Sequence, residues 1–595
     1  MSAIPQFAAD RDLRSVAEAR ELIERAYNAF QQYQHFTQEQ VDRVIDAMAA
    51  AATAAAEKIA RLAVEETGYG VVADKEQKNL FSSERVYQAV RGMKTVGIVR
   101  EDREQGIIEV AAPVGVVAAV LPSTNPTSTA IYKILIALKG RNAIVLSPHP
   151  TAFRCTCEIT SIMREAAIKA GAPADVICCF STPTLAGTQE LIKHRRTSVI
   201  LATGGMGIVR AAYSSGKPAF GVGPGNVPVF IDRSADLKKA VSDVVFGKTF
   251  DNGTICSSEQ AIIAEEAIRN QVTEELKHNG AYFLTEDEIQ RLGRDMVNLE
   301  QHTINPKFVG KSALRVAELG GFKVPDGTRL LVAPLKGVGR EHPLSAEKLS
   351  PVLALYFTRD RSAGFDTCLA LLRFGGLGHT CVIHCRDDAV IREYGLKMPA
   401  GRIVVNSPAP HGSIGASTNL FPAMTLGCGA VGGNITSDNI SPLHLINLRR
   451  LAYEARPVTQ KEIVLLTGVA PPAATAIACA CQAAARDEST PLVASGAPDR
   501  MAVAQAIERF LAKKTGRPAP AAAPLPASTA SAAKQAPPAG PPVSRPKPRP
   551  VDFVSEAEIR AALKRKEKIV IGSKTIITPA ARDLAAQHDV FTIAE

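Results

Sequence analysis

The 595-residue chain has no tryptophan, and aromatic residues make up only 5% of it. A surface that stacks bases needs those rings, so composition disfavours nucleic acid as a partner despite a formal net charge of +10. Much of that charge is local. Residues 515–550 carry Arg517, Lys534, Arg545, Lys547 and Arg549 with no acid, half of the excess in one segment. Long apolar runs are missing too: the longest, Val110 to Pro122, is interrupted by Pro113 and reads as a buried strand rather than a membrane span. Met1-Ser2-Ala3-Ile4-Pro5-Gln6-Phe7 lacks the basic start and apolar centre of a secretory signal. Cys155 and Cys157, like Cys479 and Cys481, lack the two-residue spacer of a zinc site. Eleven cysteines, an odd number with no signal ahead of them, point to a reducing cytoplasm and free thiols.

What is present fits a soluble α/β protein of several units: 46% hydrophobic and 22% charged residues, with 43 glycines. Ser15-x-x-Glu18 and Thr37-x-x-Gln40 are capping-box patterns ahead of apolar stripes and predict an N-terminal helical pair. From about residue 105, short β-rich runs alternate with helical ones: Val114 to Leu121, Ala143 to Leu146, Val176 to Phe180, Val199 to Ala202 and Val227 to Ile231. That alternation predicts a doubly wound parallel sheet, with ligands beyond the carboxyl ends of its strands. A second α/β segment follows from about Cys256 to 430, with strands at Leu330 to Val332, Val352 to Phe357, Thr380 to Ile383 and Ile403 to Val405. Two nested sheets of this kind leave a cleft between them. Residues 456–514 read as a small Ala-rich helical region. Residues 515–550, with eleven prolines among alanines and serines, read as a semi-extended linker.

Three stretches carry chemistry. In Phe250-Asp-Asn-Gly-Thr-Ile-Cys256-Ser-Ser-Glu-Gln260, a cysteine sits between a Gly-bearing turn and residues suited to start a helix. The helix's free N–H groups would stabilise a thiolate. Thr203-Gly204-Gly205-Met206-Gly207 follows the strand ending at Ala202 and precedes a helical stretch, the arrangement that brings backbone N–H groups to a pyrophosphate, although the spacing is not G-x-G-x-x-G. Asn125 in Pro122-Ser-Thr-Asn-Pro-Thr127 stands at a strand's carboxyl end with an amide free to donate to an oxyanion. His379, Cys381, His384 and Cys385 look like a metal cluster by composition, but strand alternation turns His384 away from the others, and no metal is expected.

Together these motifs resemble the coenzyme A-acylating branch of the aldehyde dehydrogenase superfamily. The resemblance runs from about residue 10 to 455. It is carried by Leu121-Pro-Ser-Thr-Asn-Pro126, Ala202-Thr-Gly-Gly205, Gly216 to Asn226, Phe250 to Gln260, Glu347-Lys-Leu-Ser-Pro351, Gly376-Leu-Gly-His379 and Gly415-Ala-Ser-Thr-Asn-Leu420. It implies Cys256 as nucleophile, Asn125 as oxyanion donor, Glu347 on the nicotinamide ribose, and Pro122, Thr203, Gly204, Gly205 and Gly223 in the cofactor site. Ser147 and His149 stand where the family usually has a lysine at the adenosine-ribose end. Hydrolytic members carry Glu-Leu-Gly-Gly, whose Glu activates water. The matching stretch here is Gly221-Val-Gly-Pro-Gly-Asn226, so a thioester would await the thiol of coenzyme A. The implied organisation is a cofactor-binding domain over 1–255, a nucleophile domain over 256–430, a return and oligomerisation segment over 431–455, and a targeting segment over 551–595. The resemblance further implies NAD as cofactor and a dimer or tetramer. It implies propionaldehyde or acetaldehyde as substrate, and residence inside a bacterial microcompartment through shell proteins met by 551–595. A CoA-independent dehydrogenase or an acylating enzyme for another small semialdehyde is the alternative. In the tail, Val554-Ser555-Glu556-Ala557-Glu558 is a capping pattern ahead of an apolar stripe at Ile559, Ala562 and Leu563. It predicts an amphipathic helix suited to a partner groove, followed by a small strand and helix unit.

Overall fold

The computed structural model describes residues 6–298, 303–456 and, with short interruptions, 551–593. The Ala-rich region and linker expected over 457–550 lie outside the described residues. The chain opens with five helices rather than a pair: α1 (Gln6–Tyr33), α2 (Gln38–Ala54), α3 (Ala56–Thr67), α4 (Val72–Leu80) and α5 (Val86–Arg91). Thr37 caps α2 with the reciprocal Gln40 contact its spacing predicts. The same pattern at Ser15 fails, because α1 has already begun at Gln6. Ser15 lies buried in mid-helix, where a Cβ on Gly187 would come within 2.1 Å of its Oγ. Glu18 instead accepts the N–H groups of Ser181 and Thr182.

A hairpin of β1 (Gly97–Asp102) and β2 (Ile107–Pro113) leads into the first parallel sheet. That sheet is built from β3 (Val116–Val120), β4 (Ala143–Ser147), β5 (Ile177–Cys179), β6 (Thr197–Thr203) and β7 (Ala219–Val222), in the order β5-β4-β3-β6-β7. Helices α6 (Pro126–Lys139), α7 (Phe153–Lys169), α8 (Leu185–Lys193) and α9 (Met206–Tyr213) make the crossovers. β3 and β4 are buried throughout, as is α6, which explains their unbroken apolar runs. The chain turns to one side of β3 for β4 and to the other for β6. The crevice of a doubly wound sheet opens at that switch.

The second parallel sheet has seven strands. They are β8 (Val227–Ile231), β9 (Glu259–Glu265), β10 (Ala281–Phe283) and, after a short pair of β11 (Val297–Asn298) and β12 (Thr303–Ile304), β13 (Leu330–Pro334), β14 (Val352–Thr358), β15 (Gly378–His384) and β16 (Ala400–Val405). Their order is β10-β13-β14-β9-β8-β15-β16. β8 therefore belongs here and not to the first sheet, where its sequence position suggested. It pairs with β9 and β15, and all five residues are buried. The change of sheet falls between Val222 and Val227, in the Gly-Pro-Gly-Asn stretch. β17 (Ile446–Ala452) returns to pair antiparallel with β2.

The described residues fall into two compact units, one reaching to residue 456 and one over 551–593. In the second, β18 (Val551–Val554), β19 (Ile569–Ile577) and β20 (Phe591–Ile593) form a parallel sheet with a helix over Glu556–Arg565. The Ser555 N–H donates to Glu558 as the capping pattern predicts. The helix's apolar stripe is not free, however. Ile559 and Ala562 are buried with Val554, Ala581, Ala585 and Val590, and Leu563, Ile571 and Ile577 pack against them.

Candidate active site

At the carboxyl ends of β3, β4, β6 and β7 lies a cleft of about 570 Å³, whose walls include Cys256 and Asn125. Pro122, Ser147, His149, Thr203, Gly204, Gly205, Gly223 and Glu347 line the same cleft, so all ten residues named from sequence come to one place. Gly221, by contrast, is not among its lining. A Cβ there would meet Tyr213 and Val209 at 2.9 Å, against α9. The departure from Glu-Leu-Gly-Gly thus puts a glycine where a side chain would need Tyr213 to move.

Cys256 is carried by a loop, not by a helix start. Asp251, Asn252 and Gly253 have φ of 47°, 52° and 71°, three successive left-handed residues that throw the chain back toward α4. After Cys256 come buried Ser257 and Ser258, and then β9. The expected helix does not form, because Glu259 to Glu265 is fully buried in the middle of the seven-stranded sheet, where strand pairing decides the backbone. Without helical N–H groups the thiol is not activated. Burial, with Glu347 and Cys428 adding to it, pushes Cys256 up to about 12, and Arg402 only partly offsets this.

Asn125 caps α6, with Pro126 at the first helical position. Its Nδ2 donates to the Thr254 carbonyl and to Thr124 Oγ1, both at 3.2 Å, and its Oδ1 accepts from Lys78 at 2.5 Å. Glu347 is pushed up to about 7 by burial, while an N–H from Gly225 at 3.2 Å works the other way. Thr203 Oγ1 at the end of β6 is buried with no hydrogen-bond partner. Gly204, Gly205 and Gly207 line the cleft beside it where α9 begins, and nothing stands within 4 Å of a Cβ at Gly205. A spare hydroxyl, open space at a glycine and a nearby carboxylate suit the pyrophosphate and ribose of a dinucleotide. At the far end Ser147 and Thr188 share a hydrogen bond of 2.8 Å, and His149 is bound to Thr151 at 2.8 Å. Burial holds the His149 imidazole below its usual pKa.

A profile of the aldehyde dehydrogenase family matches residues 8–291. Over 447 residues the chain is 38% identical to the acetylating succinate-semialdehyde dehydrogenase of Clostridium kluyveri, covering 75% of this chain and 98% of that one. The chain belongs to the aldehyde dehydrogenase family. Its solved neighbours include an acetylating aldehyde dehydrogenase from Geobacillus thermoglucosidasius, with 51% identity and a TM-score of 0.74, over 75% of this chain and 99% of that one. A propionaldehyde dehydrogenase from the Clostridium phytofermentans fucose utilisation bacterial microcompartment has 29% identity and a TM-score of 0.66, over 73% and 97%. The bifunctional aldehyde-alcohol dehydrogenase AdhE of Escherichia coli is 44% identical over 446 residues, 74% of this chain and 50% of that protein. The chain spans about half the length of such bifunctional relatives. Family membership accounts for the paired sheets and for the cleft between the β3 loop, the β6 loop and the cysteine loop.

Sequence reasoning missed the support beneath this aldehyde dehydrogenase cleft. Asp251 is buried and accepts from Lys75 at 2.9 Å, from Lys78 and from Thr254 Oγ1 at 2.5 Å, with its other oxygen on the Val71 N–H at 2.7 Å. A signal existed only for the turn, since Asp-Asn ahead of Gly tolerates left-handed φ. His379, which closes the Gly376-Leu-Gly-His379 motif, was weighed as a metal ligand but given no role in the cleft. It is a buried, neutral imidazole, held down to about 3 by burial and by Arg402, with an unpartnered Nε2. It lies behind Gly225, where a Cβ would be 2.2 Å from the Cys256 carbonyl and 3.2 Å from the imidazole. Cys381 and Cys385 pack in one core cluster and Val382 in the other, as strand alternation requires. Among the described residues no group of three or more His, Cys, Asp or Glu is placed to hold a metal, and no helix is long and apolar enough to cross a membrane.

Proposed function

We propose that the protein oxidises a short-chain aldehyde to its acyl-CoA, through a thioester on Cys256. The observation that carries this reading is the meeting of Cys256, Asn125 and Glu347 in one cleft with Thr203 and the glycines of the β6 loop. After its thiol proton passes to solvent, Cys256 adds to the aldehyde carbon, forming a carbon–sulfur bond as the carbonyl π-bond opens to an oxyanion that the Asn125 amide and the Cys256 backbone N–H receive. Thr203, Gly204, Gly205, Gly223, Pro122, Glu347, Ser147 and His149 would hold NAD, which would supply the hydride acceptor that turns the Cys256 adduct into a thioester. The acyl group then passes from Cys256 to the thiol of coenzyme A. Gly221 stands at the place of the glutamate that activates water in hydrolytic members, and although it does not line the cleft here, the lack of that glutamate favours thiolysis over hydrolysis.

The cleft's lining includes Ile255, Leu349, Ile414, Met424 and Leu426, and no lysine or arginine is among the described lining residues. That lining favours a small uncharged aldehyde such as acetaldehyde or propionaldehyde. A semialdehyde bearing a carboxylate would find no cation to pair with, which weighs against the substrate named for the Clostridium kluyveri relative. Residence in a microcompartment rests on the named origin of the propionaldehyde dehydrogenase neighbour and on the linker and tail. Because the tail helix spends its apolar stripe on its own core, shell docking would use the folded unit's outer surface, where Val551 and Phe553 are exposed, and not a bare helix. The oligomer proposed is a dimer or tetramer built through the 431–455 segment.

Trapping tests the chemistry. Mixed with propionaldehyde and NAD without coenzyme A, the protein should gain one propionyl adduct on the Cys256 peptide, discharged on adding coenzyme A. Absence of any adduct under conditions that form NADH would refute the thioester route.

A further inference from the structure

The orientation of the Asn125 amide is decided by its neighbours. Lys78 Nζ carries only donors, so the Asn125 atom 2.5 Å away must be the oxygen; the Thr254 carbonyl only accepts, so the atom facing it must be the NH₂. Both demands give the same rotamer, with the amide nitrogen on the side of the cysteine loop. Lys78, on α4, is 2% exposed and divides its ammonium between the Asn125 oxygen and its counter-ion Asp251. One helical turn earlier, Lys75 holds the Thr124 carbonyl at 2.9 Å and meets the same Asp251 oxygen at 2.9 Å. Asp251 is in turn fixed from every side. Its own N–H donates to Asp74 at 2.7 Å, Thr254 Oγ1 reaches it at 2.5 Å, and a Cβ on Gly70 would fall 1.9 Å from its Oδ1. The residue that starts the left-handed turn toward Cys256 is therefore the counter-ion of the lysine that sets Asn125.

We infer that Lys78 is a positioning residue: it holds the Asn125 oxygen away from the reacting carbonyl so that the NH₂ is presented to the oxyanion, and Asp251 locks this setting to the Cys256 loop. The inference rests on Asn125 being the oxyanion donor. Without Lys78 the amide loses the partner that distinguishes its two ends, and a flipped amide offers the oxyanion an oxygen. The two ground-state bonds of the NH₂, at 3.2 Å, are long enough for a hydrogen to be redirected as charge develops.

A double-mutant cycle in the full-length protein tests it, using propionaldehyde, NAD and coenzyme A. Asn125→Ala should lower kcat by about 10²- to 10³-fold, the usual loss of one oxyanion donor. Lys78→Met should lower kcat by about 10- to 100-fold with KM for NAD within about twofold. In the Asn125→Ala background, Lys78→Met should change kcat by less than about threefold, because a residue acting through Asn125 has nothing left to act on. Alkylation of Cys256 by iodoacetamide should proceed in Lys78→Met within about twofold of the parent rate, a readout that collapse of the cysteine loop would move. Multiplying losses in the double variant, or a Lys78→Met kcat within twofold of the parent, overturns the inference while leaving the Asn125 reading intact. An Asn125→Ala variant with nearly full kcat overturns that reading and the inference with it. If Lys78→Met does not fold, Lys78→Gln in both backgrounds is judged by the same criteria.

Discussion

At the scale of single residues, the thiol of Cys256 starts from an unfavourable state. Burial and the neighbouring Glu347 hold it near 12, so almost none is thiolate at neutral pH. Attack on an aldehyde therefore requires help that arrives with the ligands, and the positive nicotinamide ring of NAD is a charge of the right sign. Iodoacetamide should alkylate Cys256 slowly without cofactor, with a rate that keeps rising beyond pH 9, and at least several-fold faster with NAD. A fast rate that levels off below pH 8 would mean an already activated thiolate. Cys256→Ser should bind NAD yet lose essentially all turnover, because a serine hydroxyl is a far weaker acid and nucleophile. Glu347 gives a pH signature. Burial raises its carboxyl from the usual range to about 7, so the anion, which in the proposed role accepts from ribose hydroxyls, predominates only above that pH. KM for NAD should fall severalfold between pH 6 and 8 with a midpoint near 7, and Glu347→Gln should flatten the profile.

At the scale of elements, the cysteine loop is held by conformation as much as by contacts. Gly253 has φ of 71°, and a Cβ there would lie 3.0 Å from the Ser350 carbonyl and 3.1 Å from that of Lys248. Gly253→Ala should cost about 2 kcal/mol or more, from left-handed strain and crowding against two immovable backbone oxygens. It should also depress kcat, read as a lower thermal midpoint together with slower NADH formation. The same elements show what a sequence discloses. Strands β3, β4, β6 and β14 were legible because a strand buried on both faces is written as a largely apolar run rich in Val, Ile, Leu and Ala between turn residues. Strand β9 was not. Its Ser-Ser-Glu approach imitates a helix start, and only its place at the centre of seven strands overrides that local preference. The Ser15 pattern misled for a related reason, since a capping box is a start signal only where a helix is not already running. Cys256, Asn125 and the glycines after Thr203 stand out because loops after parallel strands carry Gly, Asn and Thr in a recognisable pattern, whereas Pro122, Ser147, His149, Gly223 and Glu347 were placed only by the family resemblance. The lysines beneath them could not be named, for two lysines three apart on a helix usually mark a solvated face, and their burial is a property of the packed fold.

At the scale of the whole molecule, the catalytic unit and the tail are separate bodies, each with its own core. Deleting residues 515–595 should leave kcat within about twofold, since no residue of the cleft is removed, while entry into assembled shells is lost. Ile559→Asp in the full chain should open the tail unit to protease, by burying a charge in a core of a few side chains, and should abolish shell entry without changing kcat. Shell entry by either variant would show that the folded tail is not the docking element. The central claim concerns the fate of the acyl group on Cys256, and one experiment addresses it most directly: NADH formation from propionaldehyde and NAD with and without coenzyme A, with the product identified by mass. A thioester that only coenzyme A discharges gives at most one turnover per cysteine without coenzyme A, sustained turnover with it, and propionyl-CoA equal to the NADH formed. Sustained NADH formation without coenzyme A, yielding free propionate, would contradict it.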